Sequence, residues 1–316
     1  MYNSCMLDIK QDLKFSNLTT LGIGGPIKEF ISVATKEELV EAIKYAKEKK
    51  VEYLVIGGGS NLLVSDEGLD KLVIKNEIKG IERSSNNLIV KSGTSLQDLV
   101  NFANENSLQD LQNLAGIPGS VGGGLYGNAG AYGQTISDHL VSIKAFDGKD
   151  LKEFSKEECG FEYRFSNFKK NHYIILEAIF ELTPGDSEEL KKESAETIQK
   201  RLVKYPSGIK CPGSFFKNIV ASTLPESVLN NIPEEKIVYG KLPAGSLLEM
   251  VGAKGDTLGE IEIAPYHANL FINKNNGSAK DFHTLAKKYF LKVKEKFGIE
   301  LEPEVQLVNL PFLKEN

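Results

Sequence analysis

Gly116-Ile117-Pro118-Gly119-Ser120-Val121-Gly122-Gly123-Gly124 runs through Leu125-Tyr126 into Gly127-Asn128-Ala129-Gly130-Ala131-Tyr132-Gly133, placing eight glycines in eighteen residues. A turn needs one or two glycines, so turn geometry leaves most of these unexplained. Lacking a Cβ, glycine tolerates positive φ and lets main-chain N–H groups come close to a ligand. The stretch is therefore expected to be too glycine-rich for a regular element and to lie flat against a bound molecule. Gly57-Gly58-Gly59-Ser60-Asn61, after the apolar run 51–56, is a second such loop. Successive glycine amides suit a phosphate or pyrophosphate, although a tight turn would account for this loop taken singly. Leu62 stands where a Rossmann fingerprint has its third glycine. Two backbone cradles fit a dinucleotide better than a mononucleotide.

The flanks alternate helix and strand. Thr35-Lys36-Glu37-Glu38 has the capping-box pattern, followed by Leu39, Ile43 and Ala46 at helical spacing. Strands are expected over 51–56, 72–75, 88–91, 141–146 and 173–182, and a helix over 95–104. The charged segment 188–204 reads as a helix bridging two domains. A strong helix is expected over 278–297, opened by Ser278 with Asp281 and closed by Gly298, before a last strand over 299–308.

The chain has 316 residues, 41% of them hydrophobic, enough for two or three domains with ordinary cores. Its net charge of −5 gives no electrostatic reason to expect nucleic acid or an anionic membrane as partner. Cys5, Cys159 and Cys211 form no CxxC pair, so neither a disulfide framework nor a cysteine metal site is supported. The opening residues have no apolar signal core, and no run approaches a membrane span. The expectation is a reduced, cytoplasmic protein without a metal.

Three further places could carry chemistry. Arg164, between Tyr163 and Phe165, is either a carboxylate clamp or a surface stacking pair. Ser214, between Gly213 and Phe215-Phe216, would sit in an apolar, water-poor setting; a satisfied turn serine is the plainer account. No His–Asp pair accompanies it, so a hydrolytic triad is poorly supported. Strand alternation puts Leu301, Pro303, Val305 and Leu307 on one face, and Glu302, Glu304 and Gln306 on the other.

GGGSNLLVSDEG, GIPGSVGG with NAGAYG, YRFS at 163–166, PGSFFKN at 212–218 and LEPEVQ at 301–306 together resemble the UDP-N-acetylenolpyruvoylglucosamine reductase (MurB) family. The likeness runs from Leu18-Thr19-Thr20-Leu21-Gly22-Ile23-Gly24-Gly25 to Val308, and the short interval from Arg164 to Ser214 is similar to type II members. It implies an α+β fold in which a two-subdomain FAD-binding module of the PCMH/VAO type accompanies a smaller α+β substrate-binding domain. The implied domains are 1–80 with 299–316 returning to it, 81–204, and 205–298 for substrate. Noncovalent FAD would be held by Gly57, Gly58, Gly59, Ser60, Asn61, Gly116, Ile117, Pro118, Gly119, Ser120, Gly122, Gly123, Asn128 and Gly130. Catalytic roles transfer to Arg164, to Ser214 as proton donor and to Glu304, the glutamate that follows the proline. Tyr132, Arg201, Lys204, Lys217, Asn218 and His267 would contact substrate, His267 being equally readable as a packed polar residue.

The implied reaction is reduction of the enolpyruvyl ether of UDP-N-acetylglucosamine by NADPH through FAD, a step of peptidoglycan synthesis. Partners would be the sugar nucleotide and NADPH, with a monomer favoured and no nucleic acid or membrane insertion. Other readings are a related FAD oxidase or dehydrogenase, or a silent flavin-binding module; the first often tethers flavin through His or Cys, which both glycine loops lack. Ile219, Glu260, Ile263, Ala264, Gln306 and Leu310 depart from the family pattern, and 220–239 is longer than usual. The glycines at 22, 24 and 25, 57–59 and 116–133 account for fourteen of 29 and are expected to be largely ligand-facing.

Overall fold

The computed structural model describes residues 7–171, 173–229 and 232–314, so Cys5 lies outside the described residues. The chain forms two units. The first takes in Lys28–Gly58 and Asp70–Pro206 with the stretch before Leu13; the second takes in Leu13–Ile27, Gly59–Leu69 and the chain from Ser207.

In the first unit the capping box forms as expected. The Glu38 amide donates to Thr35 Oγ1 at 3.1 Å, and the Thr35 amide donates to the Glu38 carboxylate at 3.2 Å. The helix Lys36–Lys49 then buries Leu39, Ala42, Ile43 and Ala46, sharing a core with Ile31, Val33, Leu72 and Ile74. Strands Tyr53–Ile56 and Leu69–Asn76 run parallel, Tyr53 opposite Leu72 and Ile56 opposite Lys75. Ile56 thus delivers the chain to Gly57 at the carboxyl end of a strand.

A second sheet in this unit is antiparallel, in the order Leu151–Ser155, Leu140–Phe146, Ile174–Glu181, Asn87–Lys91, Ile81–Ser84. Ser95 and Asp186 cap its helices Leu96–Glu105 and Ser187–Lys204. The charged helix Ser187–Lys204, expected to bridge domains, lies wholly in this unit. It buries Leu190, Ser194 and Thr197 and packs on Leu96–Glu105 and the Gln112–Leu114 turn.

The glycine-rich stretch does contain a regular element: Val121–Gly127 is a helix. Ser120 Oγ accepts from the Gly123 amide at 3.2 Å, and the Val121 and Gly122 amides donate to the Thr94 and Ser92 carbonyls, each at 2.8 Å. Glycine inside a helix costs about 1 kcal/mol relative to alanine, so local propensity argues against it. Tertiary fit overrides that propensity. A Cβ on Gly122 would stand 2.9 Å from Ser92 Cβ, and one on Gly124 would stand 3.1 Å from Ile136.

The second unit is organised by the helix Ala279–Phe297, which buries Phe282, Leu285, Ala286, Tyr289, Phe290 and Val293 along one face. Ser278 caps it as expected, and Gly298 closes it at φ +69°. Asp66 adds a second cap, accepting from the Ala279 and Lys280 amides at 2.8 and 3.0 Å. The expected strand over 299–308 shortens to Gln306–Val308, parallel to Leu62–Val64. Pro303 offers no N–H for a ladder, while the Glu304 amide turns to the Phe215 carbonyl at 2.7 Å.

Gly24 and Gly25 face protein rather than ligand. A Cβ on Gly24 would lie 2.5 Å from Phe15 Cβ, and one on Gly25 would lie 2.0 Å from the Asp66 carbonyl oxygen. The backbone itself needs that room. Gly25→Ala is accordingly expected to destabilise the ligand-free chain by about 3 kcal/mol in denaturant unfolding. Unchanged stability with loss of ligand binding alone would return Gly25 to a ligand-facing role.

Candidate active site

In the first unit the two glycine loops meet backbone to backbone. A Cβ on Gly57 would lie 2.3 Å from Ser120 Oγ, and one on Gly58 would lie 2.9 Å from Gly119 Cα. Among the described residues the amides of Gly58, Gly119 and Ser120 have no protein acceptor. Other amides of the expected cradle are engaged: Gly116 donates to Gln97 Oε1 at 2.7 Å, Ile117 to the Leu114 carbonyl at 3.2 Å, Gly122 to Ser92 and Gly123 to Ser120. The amides that remain open on this surface are therefore those of the Gly58 and Gly119–Ser120 edges. Gly59, Ser60 and Asn61 belong to the second unit.

Arg164 is held by the far end of the same glycine-rich segment. Its Nη1 and Nη2 donate to the Asn128 and Gly130 carbonyls at 3.3 and 2.9 Å. Its own φ is +55°, a left-handed conformation that an arginine adopts only under external constraint. Lys169 Nζ donates to the Arg164 carbonyl at 2.9 Å, and Ser166 Oγ, fully buried, donates to the Tyr126 carbonyl at 2.8 Å. Asn128 and Tyr132 have positive φ as well, +46° and +51°. Tyr132 is half exposed.

Arg201, in the last turn of Ser187–Lys204, enters the same region. Its guanidinium lies 5.4 Å from the Tyr205 ring, over which Lys204 also sits at 5.1 Å. A Cβ on Gly116 would lie 3.1 Å from Arg201 Cδ. Burial pushes Arg201 below the usual arginine range; Tyr205 and Tyr132 oppose that shift and the charge of Arg164 adds to it. Pro118 stays with the Gly116–Ser120 loop.

In the second unit Ser214 and Glu304 are brought together through Phe215. Ser214 pairs with Leu270, the Phe215 amide donates to the Asn269 carbonyl at 3.0 Å, and the Phe215 carbonyl accepts from Glu304. Phe215 and Phe216 are fully buried beside Phe271 and Phe282, with ring centroids 4.7 to 5.4 Å from Phe215. Asn61 positions the far strand: its Nδ2 donates to the Glu304 carbonyl at 3.1 Å, and its carbonyl accepts from Gln306 at 3.0 Å.

Lys217 pairs with Glu302 at 2.6 Å, and Asn218 Oδ1 accepts from the Ala244 amide at 3.2 Å at the start of a short helix. His267 Nδ1 accepts from the Asn269 amide at 3.2 Å, which fixes its ring. Residue-by-residue reasoning passed over Asn269 itself. It is 2% exposed; the Phe216 amide donates to its Oδ1 at 2.9 Å, and its Nδ2 donates to the Phe216 carbonyl at 2.8 Å. A polar residue between the buried Ala268 and Leu270 was the available signal. Cys159 and Cys211 are buried thiols, and burial pushes Cys159 up to about 12.

Residues 205–308 match the family described as UDP-N-acetylenolpyruvoylglucosamine reductase, C-terminal domain, and residues 27–150 match an FAD binding domain. A UDP-N-acetylenolpyruvoylglucosamine reductase of Solibacter usitatus is 39% identical over 96% of this chain and 97% of its own length. A Bacillus cereus protein named UDP-N-acetylenolpyruvoylglucosamine reductase 2 is 35% identical over 95% of this chain and 92% of its own. The crystal structure of the Thermus caldophilus reductase superposes with a TM-score of 0.76 at 30% identity, covering 96% of this chain and 99% of that one.

Asn269→Ala leaves the Phe216 amide and carbonyl buried without partners. The expected loss is about 2–3 kcal/mol of stability, measured by urea unfolding. An unchanged midpoint would remove Asn269 from the support of Ser214.

Proposed function

The chain belongs to the UDP-N-acetylenolpyruvoylglucosamine reductase family, FAD-dependent oxidoreductases of peptidoglycan-precursor synthesis, and from that premise we propose that it reduces the enolpyruvyl ether of UDP-N-acetylglucosamine to UDP-N-acetylmuramate with NADPH. The observation that carries this is the common anchoring of Ser214 and Glu304 on Phe215, through adjacent backbone pairings. Residues of the Gly57–Asn61 and Gly116–Gly130 segments would hold FAD, within the proposed FAD-binding stretches 1–80 and 81–204. The stretch 205–298 would take the sugar nucleotide in the cytoplasm, where its precursors are made.

When bound, FAD supplies the hydride, taken from NADPH and passed to the vinyl β-carbon. Negative charge then builds on the α-carbon and spreads into the substrate carboxylate. Arg164, fixed by two carbonyls, and Glu304 polarise that carboxylate; preorganised groups at developing charge typically contribute a few kcal/mol each. Ser214 completes the reaction by giving its proton to the α-carbon. A neutral hydroxyl suits that task, because the acceptor is a strongly basic carbanion or enolate. Lys217 and Asn218 stand after Phe216, where they would meet the diphosphate, Lys217 exchanging Glu302 for it.

Purified protein should be yellow, release FAD on denaturation, and turn over NADPH beyond one equivalent per flavin only when the enolpyruvyl sugar nucleotide is present. In Ser214→Ala, flavin reduction by NADPH should stay within about twofold, while reoxidation by substrate falls roughly 10²–10⁴-fold. Stopped-flow traces that slow equally in both half-reactions would take the proton-donor role from Ser214.

A further inference from the structure

Glu162–Phe165 closes as a four-residue turn. The Phe165 amide donates to the Glu162 carbonyl at 3.2 Å, and the Glu162 amide donates to the Phe165 carbonyl at 3.1 Å. Arg164 is the third residue of this turn, with φ at +55°. A left-handed residue at that place is ordinarily glycine or asparagine. Arginine has no backbone preference for it, so the conformation has to be held from outside.

Two holds reach Arg164 from opposite ends. The guanidinium is tied to the Asn128 and Gly130 carbonyls. The main chain is tied by Lys169, whose Nζ donates to the Arg164 carbonyl at 2.9 Å. A hydrogen bond from a charged donor is roughly twice as strong as a neutral one.

Lys169 is itself firmly based. It lies in the short helix Phe168–Asn171, and Phe168 is 2% exposed and meets the Phe154 ring edge-on at 5.5 Å. Its amide donates to the Ser166 carbonyl at 3.1 Å, and the Asn167 amide donates to the Cys159 carbonyl at 2.9 Å. Ser166 Oγ is anchored in turn on the Tyr126 carbonyl. Lys169 Nζ also lies 5.7 Å from the centre of the Tyr126 ring, in the helix that ends at Asn128. One ammonium thus joins the turn that presents Arg164 to the segment that receives its guanidinium.

We propose that Lys169 is a positioning residue for Arg164: its ammonium fixes the Arg164 carbonyl, keeps the residue left-handed and so aims the guanidinium at the anionic group of the substrate. Without that donor Arg164 is free to relax toward the right-handed or extended region, which re-aims its Cα–Cβ bond and withdraws the side chain from its two carbonyls. The inference rests on the proposed function, which sets Arg164 at the substrate carboxylate.

The test is made on the full-length holoenzyme by stopped flow. Lys169→Met keeps the apolar stem and removes the donor. Flavin reduction by NADPH should stay within about twofold, while reoxidation by the enolpyruvyl sugar nucleotide falls roughly 10–100-fold, the usual cost of a misplaced group. Lys169→Arg restores a charged donor and should recover most of the loss. In an Arg164→Ala background, adding Lys169→Met should slow reoxidation no further, because the lysine acts only through the arginine. Should Lys169→Met fail to fold, Lys169→Gln is expected to show the same split between the half-reactions. An undiminished cost in the Arg164→Ala background, equal slowing of both half-reactions, or wild-type rates in Lys169→Met would each overturn the proposal. Failure of the wild-type reduced flavin to be reoxidised by the sugar nucleotide would instead sink the proposed function.

Discussion

Asn269 closes both backbone hydrogen-bonding groups of Phe216, and the placement of Ser214 depends on that closure. Phe215 and Phe216 are locked from the other side by the Phe271 and Phe282 rings. The amide clip and the aromatic cluster together hold the main chain at 215–216. Ser214 is one residue upstream and Glu304 hangs from the Phe215 carbonyl. Their positions are thus set by backbone pairing, which is stiffer than side-chain contact.

Crowding of backbone against backbone governs the first unit in the same way. Gly57 and Gly58 admit Ser120 and Gly119, and Gly122 admits Ser92. The glycine surplus pointed correctly to main chain at close quarters, but composition cannot say whether the neighbour is a ligand or another strand. That distinction needs tertiary register. Gly24 and Gly25 show the consequence: they look like ligand glycines in the sequence and are packing glycines in the fold.

Features built from near neighbours were legible. The Thr35–Glu38 box and the Ser278 and Gly298 caps each satisfy groups within a few residues, so their signals are local. The helix Val121–Gly127 was not legible, because its propensity is poor and its support comes from Ser92, Thr94 and Ile136. Residue chemistry alone was equally silent on the site: alternation put Glu302 and Glu304 on one face, and only the resemblance separated them. Their surroundings differ. Glu302 is paired with Lys217, while the backbone of Glu304 is held by Phe215 and Asn61. Both supports come from chain far away in sequence.

Left-handed backbone gathers at three residues around the Arg164 guanidinium, as it also occurs at Lys50, Ser85, Ser107 and Asp110 of the same unit. Left-handed backbone at a residue other than glycine costs of order 1–3 kcal/mol and persists only where surroundings over-determine it. Asn128, Tyr132 and Arg164 all carry it, and Arg164 bonds to the carbonyls of Asn128 and Gly130. A relaxed backbone at any of the three would redirect a carbonyl or a guanidinium. The fold therefore maintains an arginine whose Nη atoms donate to two main-chain carbonyls. For a reaction that develops charge beside a carboxylate, that arrangement lowers the reorganisation needed at the moment of reaction.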